Sequence, residues 1–169
     1  MLGGLSATID PIMLADQGQR LSGRVPVQSM ARLRAQLLED AGEVDVDLAF
    51  ERAEGSNLRR MRGRIVAQLA VRCQRCLEPM TIEVVAEPDT ILLAAGEADP
   101  GLPPEADTLT VSTSVAVAEL IEDELLLALP MVPMHRLDEC PARQYIGGAK
   151  GDVTKHPLAE LAHRGREHK

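Results

Sequence analysis

Aromatic side chains are nearly absent: the 169 residues contain one Phe (Phe50), one Tyr (Tyr145) and no Trp. That scarcity excludes the platform of stacked rings on which single-stranded nucleic acids are commonly held. It also leaves any core to Leu, Val, Ile, Met and Ala. No apolar run approaches the roughly 20 residues a membrane-spanning helix needs. The opening stretch, MLGGLSATID, lacks a basic start followed by a sustained apolar run, so no secretion signal is expected. Cysteine is scarce as well. Three of them, an odd number, suit reduced thiols better than a disulfide framework, and the expected location is cytoplasmic. Enzyme signatures are also missing: there is no phosphate-cradling glycine loop, no nucleophile elbow and no His-Glu-x-x-His.

What remains is a chain with 45% hydrophobic residues, enough to bury one core. Residues 1–141 are expected to form a single domain with an acidic, Pro- and Gly-rich mobile loop at about 96–107. Residues 142–169 read as a flexible basic tail. The net charge of −8 conceals an asymmetry: residues 20–75 hold eleven Lys/Arg and seven Asp/Glu, whereas residues 76–140 hold one Arg and fourteen acids. Such a protein does not coat nucleic acid indiscriminately, because phosphate repels it at long range. It can still turn a basic face to RNA or an acidic face to a basic protein.

Along the chain, Ile9-Asp10-Pro11 reads as a turn or extended segment, and Leu21 to Val27 as a short strand. Ser29 is a plausible N-cap for a helix to about Asp40, with Met30, Leu33 and Leu37 inward. From Val44 to Glu51 the apolar residues alternate strictly, so Val44, Val46, Leu48 and Phe50 share a face. A second alternating run, Arg60 to Cys73, sets Met61, Ile65, Ala67, Leu69, Val71 and Cys73 against Arg60, Arg62, Arg64, Gln68 and Arg72. Matching the apolar faces requires paired residue numbers with an odd sum, which brings acids of the first strand beside the arginines. The arginine stripe therefore has two readings: cross-strand ion pairs on a solvated face, or a ribbon contacting phosphate with Arg60, Arg62, Arg64, Arg72 and Arg75.

A third strand starts at Met80 and continues past Pro88 to Ala94, and Leu109 to Val111 adds a short one. A long helix is expected from Ser112 or Ser114 to Leu129, ended by Pro130. Its wheel places Val117, Ile121, Leu125 and Ala128 inward. Glu119, Glu122, Asp123 and Leu126 fall opposite, a candidate surface for a protein partner. Glu124 falls inside the apolar arc, where a carboxylate needs an arginine or backbone N–H partners. The fold class expected is α+β: a curved antiparallel sheet packed by one short and one long helix.

The chemistry concentrates in two distant pieces. Cys73-x-x-Cys76 between two strands is a recurring half-site for tetrahedral zinc, and His135 and Cys140 in the loop after the long helix complete a Cys3His set. The other readings are a small apolar Cys73 with two plain thiols, or a redox dithiol. The enzymatic alternative is a zinc hydrolase using Glu124 as base beside an open metal position.

VRCQRCLEPM, followed by IEDELLLALPMVPMH and a nearby cysteine, resembles the YceD family of large ribosomal RNA subunit accumulation proteins. IDPIMLA, LSGRV and HPLAELA resemble its terminal features. On this chain the family-like positions are Cys73, Arg75, Cys76, Glu122, Glu124, Pro130, Pro133, His135 and Cys140. The resemblance implies a non-enzymatic factor in large-subunit ribosome biogenesis, acting on pre-ribosomal RNA or a ribosomal protein. It implies no defined reaction and no small-molecule substrate.

Overall fold

Alternation of apolar and polar residues dictates most of the architecture. A computed structural model describes residues 8–146 apart from 54, 56, 98–101, 103 and 113. Strands β1 (Thr8–Ile9), β2 (Arg20–Pro26), β3 (Glu43–Arg52), β4 (Arg59–Arg72), β5 (Pro79–Ala86), β6 (Asp89–Ala94), β7 (Thr108–Val111) and β8 (Val115–Ala116) accompany four helices. These are α1 (Pro11–Asp16), α2 (Ala31–Arg34), α3 (Val117–Ala128) and α4 (Arg143–Ile146). The main sheet runs β2-β3-β4-β6-β7, with β5 also paired to β4. The result is α+β, as expected.

The register between β3 and β4 follows the odd-sum rule: Val44 faces Ala67, Val46 faces Ile65 and Phe50 faces Met61. These side chains, with Leu48 and Leu69, are buried. Removing each such large apolar group from water stabilises the fold by roughly 1.5–3 kcal/mol. Residue 63 must be glycine, because a Cβ there would meet the Asp47 carbonyl oxygen at 2.1 Å and Leu48 Cα at 2.9 Å. Strand β4 is long enough to carry two neighbours end to end. β5 pairs with Ile65–Arg72 and β6 with Arg59–Arg62, so the third strand does continue past Pro88, broken there because proline lacks the N–H a ladder needs.

Several expectations need correction. The sheet is not wholly antiparallel, since β6 and β7 pair in parallel. The helix expected from Ser29 to Asp40 is a 3-10 turn at Val27–Ser29 followed by the four residues of α2. It stops early because the chain turns to join the sheet, where the Leu38 N–H donates to the Ala70 carbonyl at 2.8 Å. The long helix starts at Val117, not at Ser112 or Ser114, because Val115 and Ala116 are claimed by pairing with Ile9 and Thr8. Helix α1 went unforeseen, although its signal is plain: the Asp10 carboxylate accepts from the Ile12 and Met13 N–H groups, and Pro11 occupies the first turn. The expected acidic loop at 96–107 lies partly outside the described residues, as does the expected tail from 147 onward. No helix among the described residues is long and apolar enough to cross a membrane.

Candidate metal centre

The knuckle forms where β4 runs out. The Cys73 N–H donates to the Glu78 carbonyl at 3.0 Å and the Leu77 N–H to the Cys73 carbonyl at 2.9 Å, turning the chain into β5. Leu77 takes a φ of +65°, a left-handed conformation that costs a residue with a Cβ about 1–2 kcal/mol. The turn keeps Cys73 buried and Cys76 half-buried. The second piece leaves α3 at Pro130 and lies across this turn. The Gln74 N–H donates to the Pro133 carbonyl at 2.8 Å, and the His135 N–H donates to Cys73 Sγ at 3.4 Å. His135 Nδ1 lies 3.3 Å from Cys76 Sγ, although 59 residues separate the two. Cys140 is buried beside them. The donor atoms of Cys73, Cys76, His135 and Cys140 all lie within 4.8 Å of one another.

Electrostatics separate the thiols. Burial pushes the Cys73 thiol up, but N–H groups of Cys76, His135 and Arg75 aimed at its sulfur bring it down to about 5. Burial pushes the Cys76 thiol up, and the neighbouring Cys73 and Cys140 sulfurs push it further. One thiolate is thus stabilised while a second beside it is disfavoured. A divalent cation reverses that penalty, since each thiolate then faces a positive centre.

The residues fit such an ion. Three sulfurs and an imidazole are the donor set of structural zinc. Zinc–sulfur bonds of about 2.3 Å put tetrahedral sulfurs about 3.8 Å apart, inside the observed spread. Three thiolates on a divalent ion would leave one net negative charge, and Arg75 sits within the same knuckle. Among the described residues its buried Nη1 has no hydrogen-bond partner, and its Nη2 donates to the Met134 sulfur at 3.5 Å. Four protein donors fill a tetrahedron, so the set is suited to holding two chain segments together rather than to activating water.

With this geometry in view, the relatives are informative. A family model described as "Large ribosomal RNA subunit accumulation protein YceD" matches residues 61–165, a stretch that contains all four donors. The chain belongs to the YceD family. The "Large ribosomal RNA subunit accumulation protein YceD" of Haemophilus influenzae is 27% identical over 165 residues, covering 94% of each chain. No solved structure matches.

The other residues singled out from the sequence fare unevenly. In the arginine stripe, Arg60 pairs with Asp89, Arg62 with Glu51 at 2.7 Å and Arg64 with Glu87 at 2.8 Å. Those three carry the ion pairs of a solvated sheet face. Arg72, also exposed, and Arg75, whose Nη2 meets the Met134 sulfur at 3.5 Å, have no ion pair among the described residues.

The helix set Glu119, Glu122, Asp123 and Leu126 does not form one outward face. Glu119 and Asp123 are exposed, but Glu122 is buried and Leu126 packs against the core. The outward leucine is Leu127, 83% exposed. The buried carboxylate expected at Glu124 is Glu122. Its Oε1 accepts from the Arg32 N–H at 2.6 Å and the Leu33 N–H at 3.0 Å, and its Oε2 from Arg32 Nε at 2.8 Å. On the wheel Glu122 sits roughly 60° from Leu125, and docking of α2 on that edge widens the buried arc to include it. The partners expected for a buried carboxylate, an arginine and backbone N–H groups, are thus present, but they serve Glu122, and Arg32 is the arginine that the sequence did not name.

Glu124 lies half-exposed in a groove of about 480 Å³ shared with Asp107, Asp123 and Glu87, and none of the four cluster residues lines it. Burial, then Asp107 and Asp123, push its carboxyl above the usual range.

Proposed function

We propose that this protein is a non-catalytic factor in large-subunit ribosome biogenesis, needed for large-subunit ribosomal RNA to accumulate, and that it holds one zinc ion on Cys73, Cys76, His135 and Cys140. Membership of a family described by that role carries the reading, since the match runs through the whole cluster. The ion would clasp the loop after α3 to the end of β4 and set the surface around the knuckle. In this reading the protein works in the cytoplasm, on pre-ribosomal RNA or on a ribosomal protein. Zinc hydrolysis gains no support. It needs a vacant coordination position, whereas four donors converge here and Glu124 lines a separate groove.

Two measurements test the proposal. Atomic absorption on protein purified without chelator should find close to one zinc per chain, and less than a few tenths would remove the metal. Deleting the gene should lower large-subunit RNA relative to small-subunit RNA. An unchanged ratio would remove the function.

A further inference from the structure

The groove that holds Glu124 lies beside α3 and is built wholly from residues 85–128, a stretch with ten Asp/Glu and no Lys or Arg. Half of its fourteen lining residues are apolar, and three of these, Ala86, Pro88 and Leu120, are buried. Leu127 also lines it and is 83% exposed, with nothing over it among the described residues. Thr90 lines the same groove at 9% exposure, and its hydroxyl takes no hydrogen bond among the described residues. Buried hydroxyls are normally satisfied, so this one points to a polar group that the described chain does not supply.

The walls carry five carboxylates, and they are not cancelled evenly. Arg64 holds Glu87 at 2.8 Å, Arg60 holds Asp89 and Arg32 holds Asp123 at 2.6 Å, but none of these arginines lines the groove. Asp107 and Glu124, the remaining two, have no ion pair among the described residues. Burial, then the like charges of Asp107 and Asp123, push the Glu124 carboxyl up, a penalty that an entering cation reverses. The same charges repel a phosphate backbone. A free divalent ion prefers a shell of about six oxygens, which a half-apolar lining does not offer. A lysine or arginine carries an aliphatic stem behind its charge and so suits both the apolar floor and the carboxylates.

From these observations we infer that this groove is the docking site for a basic segment of a large-subunit ribosomal protein, with a Lys or Arg entering between Asp107 and Glu124 and a neighbouring apolar residue covering Leu127. The ribosomal source of the segment rests on the biogenesis role proposed above; its cationic, apolar-flanked chemistry rests on the groove alone. The cluster takes no direct part, since none of its four residues lines the groove.

The test uses the full-length chain carrying a diazirine amino acid at position 127. It is irradiated with the protein fraction extracted from purified large subunits and, in a parallel arm, with protein-free large-subunit RNA. The expected result is a nuclease-resistant adduct whose cross-linked peptide, read by mass spectrometry, is a Lys- or Arg-bearing segment of one ribosomal protein. Unlabelled wild type should compete it away. The double variant Asp107→Asn, Glu124→Gln should compete at least tenfold less well, with no lower unfolding midpoint because it removes two like charges. Leu127→Ser, at an exposed position, should also compete less well and does not depend on how the double variant folds. Adducts with RNA only, with residues 147–169 of the chain only, with a second copy only, or with nothing would overturn the inference. So would either variant competing like wild type, or magnesium chloride abolishing the adduct where sodium chloride of equal ionic strength does not, which would mark a divalent-ion site. A gene-deletion strain keeps the two ideas apart. If deletion lowers large-subunit RNA but the double variant and Leu127→Ser restore it fully, the docking groove is wrong and the biogenesis role stands. If deletion changes nothing, the role itself fails.

Discussion

Glu122 joins the long helix to the start of α2, and its removal has a consequence whose size the structure sets. Nothing in α2 caps its own first turn, since Met30 offers no side-chain acceptor. The Glu122 carboxylate does that work from 90 residues away, taking the Arg32 and Leu33 N–H groups on Oε1. Glu122→Ala leaves both donors without a partner. An unsatisfied buried donor costs about 1–3 kcal/mol. The Leu33 N–H is buried and bears that cost, while the Arg32 N–H is nearer the surface and recovers some water. The Arg32 guanidinium is 56% exposed, so its lost ion pair adds little. The expected total is about 2–4 kcal/mol for Ala. For Gln, which keeps one carbonyl acceptor, it is about 1–2 kcal/mol.

Urea unfolding at neutral pH reads this directly, with the slope unchanged and the midpoint lower. A loss below about 0.5 kcal/mol for Glu122→Ala would refute the capping argument. The pH dependence gives an independent check. Burial alone would raise the Glu122 carboxyl, but the Leu33 and Arg32 N–H groups and the Arg32 guanidinium outweigh it and hold the pKa below its usual 4.5. A group depressed on folding adds stability above its unfolded pKa and loses it as pH falls through the folded value. The stability gap between wild type and Glu122→Gln should therefore shrink below about pH 4.5. A gap that widens in acid contradicts the reasoning.

Gly63→Ala pushes a methyl group into the Asp47 carbonyl and forces β3 away from β4; the overpacking should cost about 1–3 kcal/mol or more in the same urea assay, and a neutral result would mean that the strands part easily. Cys140→Ser should lower the zinc content proposed for the cluster and lower the unfolding midpoint by an amount that added chelator reproduces in wild type but does not increase in the variant. A chelator effect of equal size in both proteins would separate the cysteine from the metal. Arg62→Ala and Arg64→Ala should change stability by no more than about 0.5 kcal/mol and leave large-subunit RNA levels alone, because each only deletes an exposed ion pair. A steep fall in RNA with either change would restore the arginine stripe as a contact surface.

The pattern of what could be read from the chain has a physical cause. Side-chain direction in a strand depends only on the local period of two, so the buried faces of β3 and β4 and the parity of their pairing were legible from Val44 to Cys73, while the particular register, Val44 against Ala67, was not. The stop at Pro130 was legible for the same reason, because a missing N–H is a local fact; the interruption of the third strand at Pro88 was not read, although the signal is the same. The extent of α2 was not, since it ends where the Leu38 N–H finds the Ala70 carbonyl, a partner that only the folded sheet provides. The start of α3 was hidden likewise, for β1 decides it.

Glu122 and Glu124 show the limit most sharply. The wheel puts Glu124 inside the apolar arc and Glu122 outside it, yet Glu122 is the buried one, because a wheel drawn from the helix alone does not show what packs beside it. The docking of α2 reverses the order. It buries the residue that can reach two idle N–H groups and leaves Glu124 in the groove beside Asp107 and Asp123. The cysteine cluster is a mixed case. Cysteine is so rare in this chain, three in all, that Cys73, Cys76 and Cys140 with the nearby His135 stood out from the sequence. Yet the contact between the halves rests on Gln74 and Pro133, whose residue types give no hint of it, because backbone groups make that bond. Donor identity is written in side chains and convergence in the backbone, so substituting Gln74 should leave the cluster intact while changing any one of the four donors should open it.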